Sequence, residues 1–565
     1  MESFTLLVVL VGFVFVAYLL GVRDSIVSEK KLTAWLKENY GNAPMRKYKD
    51  YELDHIRGYY ENHTEEFQID DITWNDLNMD GVFARMNYCL SATGEEYLYY
   101  MLRTPQTGDD CESVFDDMEK KISFFSENGE ARLKYQLIFN KIGRKSRYSI
   151  YDYLKVLDNN IDFSNKRHYL MIVLILLSIV LCFFKFGLGI ILLLALTVGN
   201  IVMYFGQKNT IEPYLETYRY VLKAINSVAL FSKNNYPELS DDIEKLKSAA
   251  DELKGFGRGS YILMSPTRMN SSANLTDLFL DYIRMWTHVD IIKFNKMYKL
   301  ILEKRNEMDT ILTILGRLDA LISVACFRAS LQGCVSVPEF TTDADGIRYS
   351  AKELIHPLIE TPVPNSINTD KGLLITGSNA SGKSTFLKTA AINAILSQSV
   401  HTAMATSYKA PLYRIYSSMA LNDNILEGDS YYIVEIKSMK RIIDASKTTG
   451  APVLCFVDEV LRGTNTVERI AASTEILKSF ADSGVLCFAA THDIELTALL
   501  NKDFNLYHFE GNVTDNDVHF DYMIKEGAAI NRNAIRLLGV LAYDSGIVDR
   551  AQKLADKFTE TGVWA

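Results

Sequence analysis

Charge disappears from three stretches of the chain. Residues 4–22 hold 19 positions without a charged side chain, and residues 169–184 and 187–205 form two more apolar runs, parted only by Lys185 and Phe186. A helix of 19 residues is about 28 Å long, close to the hydrocarbon thickness of a bilayer. A cleaved signal peptide is the rival reading of the first run. It has no basic residue ahead of it, is long for such a core and lacks a small-residue cleavage pattern, so an uncleaved anchor is expected. Arg23, Lys30 and Lys31 follow it and put its C-terminal end on the cytoplasmic side. The other two runs read as a tight helical hairpin. Lys166, Arg167 and His168 before it and Lys208 after it place both ends on that same side. A buried core hairpin would also hide such runs, but two adjacent runs of this purity favour the bilayer. The first arm, 16 residues long, requires tilt or local thinning. The expected topology is an outside N-terminus, three crossings and a cytoplasmic remainder.

Elsewhere the apolar period is helical, then changes. Residues 23–66 are polar and tyrosine-rich, a linker with short helices. Leu90, Tyr97, Leu98, Met101 and Leu102 recur at helical spacing until Pro105, and similar patterns fill 112–157 and 211–333. Mixed charges between those positions read as solvated faces. The stretch 315–328 is more apolar and is expected to dock on the next domain. Residues 336–365, rich in Pro, Thr and Asp, mark a boundary. Beyond it the pattern predicts strand 372–376, helix 383–398, helix 431–448, strand 453–457, helix 468–483 and strand 485–490, a doubly wound α/β sheet. The fold class is therefore multidomain: an anchor and linker over 1–66, an α-helical core or lever region over 67–335 interrupted by a transmembrane hairpin at 169–205, and an α/β nucleotide-binding domain over 336–565.

Composition narrows the options. A chain of 565 residues exceeds one ordinary core. A net charge of −10 argues against a surface that embraces nucleic acid everywhere, though not against a local basic patch. Seven scattered cysteines with no C-x-x-C spacing read as reduced thiols and indicate no zinc site.

The chemistry centres on Gly377, Gly382, Lys383 and Ser384, which satisfy G-x-x-x-x-G-K-[ST] between an apolar strand and a helix. Glycines let the loop curl so that backbone N–H groups point at phosphates, and the helix N-terminus adds its positive field. Lys383 would reach the β- and γ-phosphates and Ser384 would take a place on Mg²⁺. The strand 453–457 runs into Asp458, placed to hold Mg²⁺ through water, and Glu459, placed to orient or deprotonate the attacking water. His492, after the strand 485–490, would sense the nucleotide or steady the water. Between loop and carboxylates, Asp429 or Ser430 is able to cap the helix that follows. Arg462, Gly463 and Thr464 read as a short loop beside the site.

In combination and order, these segments resemble the MutS-type ATPases, a branch of the ABC-related phosphate-loop proteins. TGSNASGKST resembles the family's phosphate loop, making Gly377, Ser378, Asn379, Ala380, Ser381, Gly382, Lys383, Ser384 and Thr385 its nucleotide-binding residues. GDSYYIVE resembles the segment whose serine, here Ser430, reaches the partner subunit's ATP. VDEVLRGTNT and ATHDIELT resemble the second carboxylate motif and the switch-histidine segment. HPLIE resembles the family's His-Pro near adenine, which assigns that place to His356. ATGEEYLYYMLRTP and EGAAINRNAIRLLGVL resemble the start of the helical core and the C-terminal helical region.

The resemblance implies ATP and Mg²⁺ as cofactors, a homodimer with ATP at its interface, and possible binding of mismatched double-stranded DNA. Departures from the family pattern point elsewhere. No G-x-F-Y-E motif occurs, only about 66 residues precede the helical core, and an apparent membrane hairpin interrupts it. The expectation is a multi-pass membrane ATPase without the mismatch-reading N-terminal domain. The alternative is an ATP-driven membrane-associated scaffold or switch that binds no DNA.

Overall fold

The computed structural model describes residues 23–561 except 25, 45, 47, 109, 145–148, 150, 152–163, 235, 257–281, 343–347, 379–380, 420–430, 514–517, 529–534, 536–537 and 539–542. The apolar run at 4–22 lies outside the described residues.

The helical part is built around α1 (Ala92–Arg103), capped at its start by the Ser91 hydroxyl, which accepts the Gly94 amide at 3.1 Å. After two further helices, Cys111–Glu127 and Gly129–Ile142, come α2 (Lys166–Phe184) and α3 (Phe186–Lys233), with Lys185 alone between them. Gly189 makes this hairpin possible, since a Cβ there would lie 2.6 Å from the backbone nitrogen of Cys182. The second arm does not stop near residue 205 as expected. α3 continues for 48 residues, passing through Pro213, which has no amide to donate to the ladder, and so carries the apolar arm into the helical core. Residues 166–184 and 186–209 are long and apolar enough to cross a membrane, and most of their side chains face outward.

At the base of the hairpin a polar cluster is buried. His168 and His288 face each other Nδ1 to Nδ1 at 2.8 Å, and Tyr204 donates to Asp290 at 2.9 Å. The Asn200 amide donates to the Met285 carbonyl at 2.9 Å. His288 has φ +50°, which ends the helical run before α4 (Val289–Glu303).

Then α5 (Arg305–Ala329) crosses α1. It too is long and apolar, but 83% of its apolar window is buried inside the protein, which makes it the core helix of this region. The close approach needs glycine: a Cβ on Gly316 would sit 2.7 Å from the Thr93 carbonyl. Beside it the Asp319 carboxylate is fully buried and accepts the amides of Leu90 at 3.0 Å and Ser91 at 2.8 Å. As expected for 315–328, the end of α5 docks on the next domain. Arg328 pairs with Glu119 at 2.7 Å and donates to the His401 carbonyl at 2.6 Å.

The C-terminal part contains β1 (Glu339–Phe340), β2 (Tyr349–Leu354), β3 (Asn365–Thr369), β4 (Gly372–Gly377), α6 (Lys383–Val400), β5 (Ser407–Ala410) and β6 (Arg414–Ser418). These are followed by α7 (Tyr431–Ser446), β7 (Val453–Asp458), α8 (Thr466–Asp482), β8 (Leu486–Thr491), β9 (Phe504–Val513) and β10 (Val518–Glu526). Six strands form the main sheet in the order β10-β9-β4-β8-β7-β6, parallel except for the β9–β10 pair. A small sheet, β1-β5-β2-β3, lies beside it.

Both faces of the main sheet are covered, which is why its strands read as unbroken apolar runs. Leu373 and Ile375 join the core under α6, while Leu374, Val457 and Ala489 pack with Met439 and Ile442 of α7 and Leu477 and Phe480 of α8. The core under α6 is continuous with that of the helical part, from Trp74 through Leu98 to Phe386. A buried contact seals the join: Asp76 accepts from the Ser417 hydroxyl at 2.7 Å and the Met419 amide at 2.9 Å.

Candidate functional site

Sheet register brings the predicted residues together. β4 ends at Gly377 and α6 starts at Lys383, so the intervening loop opens at the carboxyl edge of the sheet. Gly377 (φ +147°) and Gly382 (φ +110°) adopt backbone conformations that other residues resist. A Cβ on Gly377 would also stand 2.7 Å from the Phe509 carbonyl of β9. Ser378 and Ser381 belong to this curl; Asn379 and Ala380 lie outside the described residues.

Lys383 is 5% exposed. Its ammonium donates to the carbonyls of Gly377 at 2.9 Å and Ser378 at 3.0 Å and lies 3.3 Å from His492 Nε2. Burial pulls its pKa below the usual lysine value, opposed by the nearby Asp458 and Glu459 carboxylates. The Ser384 hydroxyl donates to Asp458 Oδ2 at 2.5 Å.

The acidic pair owes its place to β7 and β8. Asp458 is in register with Ala490, and the Glu459 amide donates to the Ala490 carbonyl at 2.9 Å. β8 ends one residue before His492, so His492 Nε2 meets Glu459 Oε1 at 3.0 Å. Arg462 closes the cluster. Its Nε is 2.7 Å from Glu459 Oε2, and it donates to the Asp458 carbonyl at 3.0 Å. The hydrogen bond from His492, with Arg462 and Lys383 adding their charge, holds the Glu459 carboxyl below its usual range against the opposing effect of burial.

Thr385 and Gly382 border a cavity of about 240 Å³. Its walls include Leu354, His356, Pro362, Phe386, Phe509 and Tyr522. His356 Nδ1 accepts the Leu358 amide at 3.2 Å, which leaves the ring's proton on Nε2. Burial, with the nearby Lys388 charge, brings the His356 pKa down to about 4. A histidine kept neutral in the fold stabilises it fully above pH ~6.5, its unfolded value, and that contribution is lost as pH falls toward about 4. The thermal unfolding midpoint should therefore drop across this window, and the drop should be smaller in His356→Asn. An identical pH profile in that variant would remove His356 as the cause.

Ser430 lies outside the described residues, directly before α7. Two features were not foreseen from the sequence. Arg462 was read only as loop, yet it bridges Asp458 and Glu459. Tyr522 sits at a register shift in the β9–β10 hairpin, with φ +55°, and a Cβ on Gly382 would meet its ring at 3.3 Å. Nothing in the sequence around 522 marks that bulge.

A lysine-and-serine loop thus curls at the end of a parallel strand, with a carboxylate on its serine and a second carboxylate held by histidine. These residues fit Mg²⁺ with phosphates, because a hydroxyl and a carboxylate already face each other as hard oxygen donors. Residues 373–559 match the family model described as MutS domain V. The chain is 32% identical over 253 residues to the DNA mismatch repair protein MutS of Natronomonas pharaonis, covering 42% of this chain and 28% of that protein. It is 30% identical over 284 residues to the DNA mismatch repair protein MutS 2 of Haloarcula marismortui, covering 44% and 29%. It is 27% identical over 250 residues to the DNA mismatch repair protein MutS of Pseudothermotoga lettingae, covering 43% and 30%. These matches fall in its C-terminal half, which is similar to MutS proteins; the chain spans under a third of the length of these relatives.

Proposed function

We propose that the chain is a membrane-anchored, Mg²⁺-dependent ATP hydrolase whose turnover opens and closes a homodimer. The observation that carries this reading is the convergence of Lys383, Ser384, Asp458, Glu459 and His492 from three separate strand ends. In this reading the amides of the 377–382 curl receive the β- and γ-phosphate oxygens. Lys383 exchanges its two carbonyl partners for phosphate oxygens. Ser384 and Asp458 would hold Mg²⁺, which when bound neutralises charge on the phosphates. Glu459, ionised between His492 and Arg462, accepts a hydrogen bond from water and aims it at the γ-phosphorus, yielding ADP and phosphate. The cavity beside Gly382 takes the adenine between His356, Pro362 and Tyr522, and Ser430 acts on the partner subunit's ATP.

The hairpin 169–205 lies in the bilayer, with the nucleotide domain on the cytoplasmic side. The polar cluster at its base and the continuation of α3 into the helical core support transmission between membrane and helical core. ATP drives the motion by binding the closed dimer more tightly than the open one.

Double-stranded DNA enters through the names of the relatives. If it is a partner here, its affinity should fall steeply with salt, and a gel shift across a salt series separates the two readings. The test of the proposal itself uses membranes from cells expressing the full-length chain. After an alkaline carbonate wash the chain should stay in the pellet and hydrolyse ATP only with Mg²⁺. Complete release into the supernatant overturns the anchor, and hydrolysis unchanged by chelation overturns the metal site.

A further inference from the structure

Glu435 is a buried carboxylate that the hydrolysis scheme does not use. It lies one turn into α7 and is 2% exposed. Its Oε1 accepts the Arg462 amide at 3.1 Å with the Leu461 and Gly463 amides nearby, and its Oε2 is buried without a hydrogen-bond partner among the described residues. Burial pushes its pKa up, while those three amides and the Arg462 charge pull it down.

The loop it holds is strained. Glu459 (φ +63°) and Leu461 (φ +59°) both occupy the left-handed region without being glycine. Such conformations persist only where the surroundings over-determine them. The Ser473 hydroxyl of α8 binds the Val460 carbonyl at 3.1 Å, and Glu435 supplies the remaining anchor from α7. α7 also packs flush against the loop: a Cβ on Gly463 would stand 3.0 Å from Tyr432 Cβ. From that anchored backbone the Arg462 side chain reaches Glu459 Oε2 and the Asp458 carbonyl.

We propose that Glu435 is a positioning residue for hydrolysis: by holding the Arg462 amide it fixes Arg462, and through Arg462 the Glu459 carboxylate, so that the water-orienting group is tied to the start of α7. This rests on the hydrolase reading above. A shift at the start of α7 would then change the catalytic rate without touching the nucleotide, which is a regulation of that same site.

The experiment measures ATP turnover and nucleotide affinity separately on the full-length chain. Glu435→Gln keeps an acceptor for the amides and should hold kcat within about threefold. Glu435→Met keeps the volume and accepts nothing; it should lose about tenfold or more in kcat with Kd changed by no more than about twofold. Adding Arg462→Ala to Glu435→Met should cost little more, because both act through one path. Full turnover in Glu435→Met overturns the proposal, and so does a loss of affinity in proportion to turnover. Glu435→Asp, which keeps the charge but withdraws it by one methylene, serves where Glu435→Met does not fold. It should speed hydrogen exchange at the Arg462 amide and lower kcat together, and faster exchange with unchanged kcat overturns the proposal. Glu459→Gln, measured alongside, separates the two failures. No ATP turnover in the parent chain breaks the hydrolase reading, normal turnover in Glu459→Gln removes Glu459 as the water-orienting group, and a stalled Glu459→Gln beside a fully active Glu435→Met breaks only the positioning role.

Discussion

Replacing Glu459 by glutamine is expected to stall ATP turnover while leaving ATP bound. The substitution preserves size and keeps polar atoms for His492 and Arg462, which contact the two carboxylate oxygens at 3.0 and 2.7 Å. What it removes is the negative charge that accepts a hydrogen bond from water and follows its proton. A positioned acid–base group contributes about 10²–10⁴-fold, or roughly 2.7–5.5 kcal/mol of barrier. Turnover should fall within that range. Affinity should hold or rise, because one carboxylate fewer faces the γ-phosphate while Lys383 and Arg462 keep their charge. Steady-state phosphate release together with equilibrium ATP binding checks both halves. A variant that hydrolyses ATP at the normal rate removes Glu459 from the mechanism.

The site was legible because its chemistry is local. The phosphate curl and the acidic strand end each sit within a few consecutive residues, and the parallel pairing of β4, β8 and β7 brings them together automatically. The central strands were legible because burial on both faces leaves their apolar runs uninterrupted. Where the signal was non-local, it was missing. β9 mixes its apolar residues with Asn505, His508 and Glu510 and carries Gly511 within it, so its pattern is weak. Tyr522 reaches the cavity only through the register shift between Phe520 and Ile524. Arg462 turns toward the carboxylates because Leu461 adopts a left-handed conformation that no residue-type rule predicts for leucine. Similarly, α3 runs on past the apolar arm and through Pro213, although a proline inside a helical pattern reads as a stop or a kink. The hydropathy that marks α2 and the first half of α3 also marks α5. Only packing against α1, with Gly316 at the crossing, separates a core helix from an outward-facing one.

Lys383→Ala is expected to fail at the other end of the cycle, in binding. The lysine is nearly buried, and its ammonium already spends its donors on the Gly377 and Ser378 carbonyls. Those carbonyls hold it at the mouth of the curl, where phosphate oxygens of greater charge compete for the same donors. Without it, the loop amides face the triphosphate with no full positive charge from α6, and ATP affinity should fall about 100-fold or more, equivalent to roughly 2.7 kcal/mol. Lys383→Met, which keeps most of the stem and leaves the cavity filled, should show the same loss. That comparison divides charge from packing: if Lys383→Met binds ATP within about threefold of the parent chain, the lysine is a structural strut for the loop and not a phosphate ligand. The contrast with Glu459→Gln is the stronger constraint on the site. Two residues that share His492 as a neighbour, at 3.3 and 3.0 Å, should separate cleanly into affinity and rate. They do so only if the γ-phosphate lies between them, with its bridging oxygen on the Lys383 side and the attacking water on the Glu459 side.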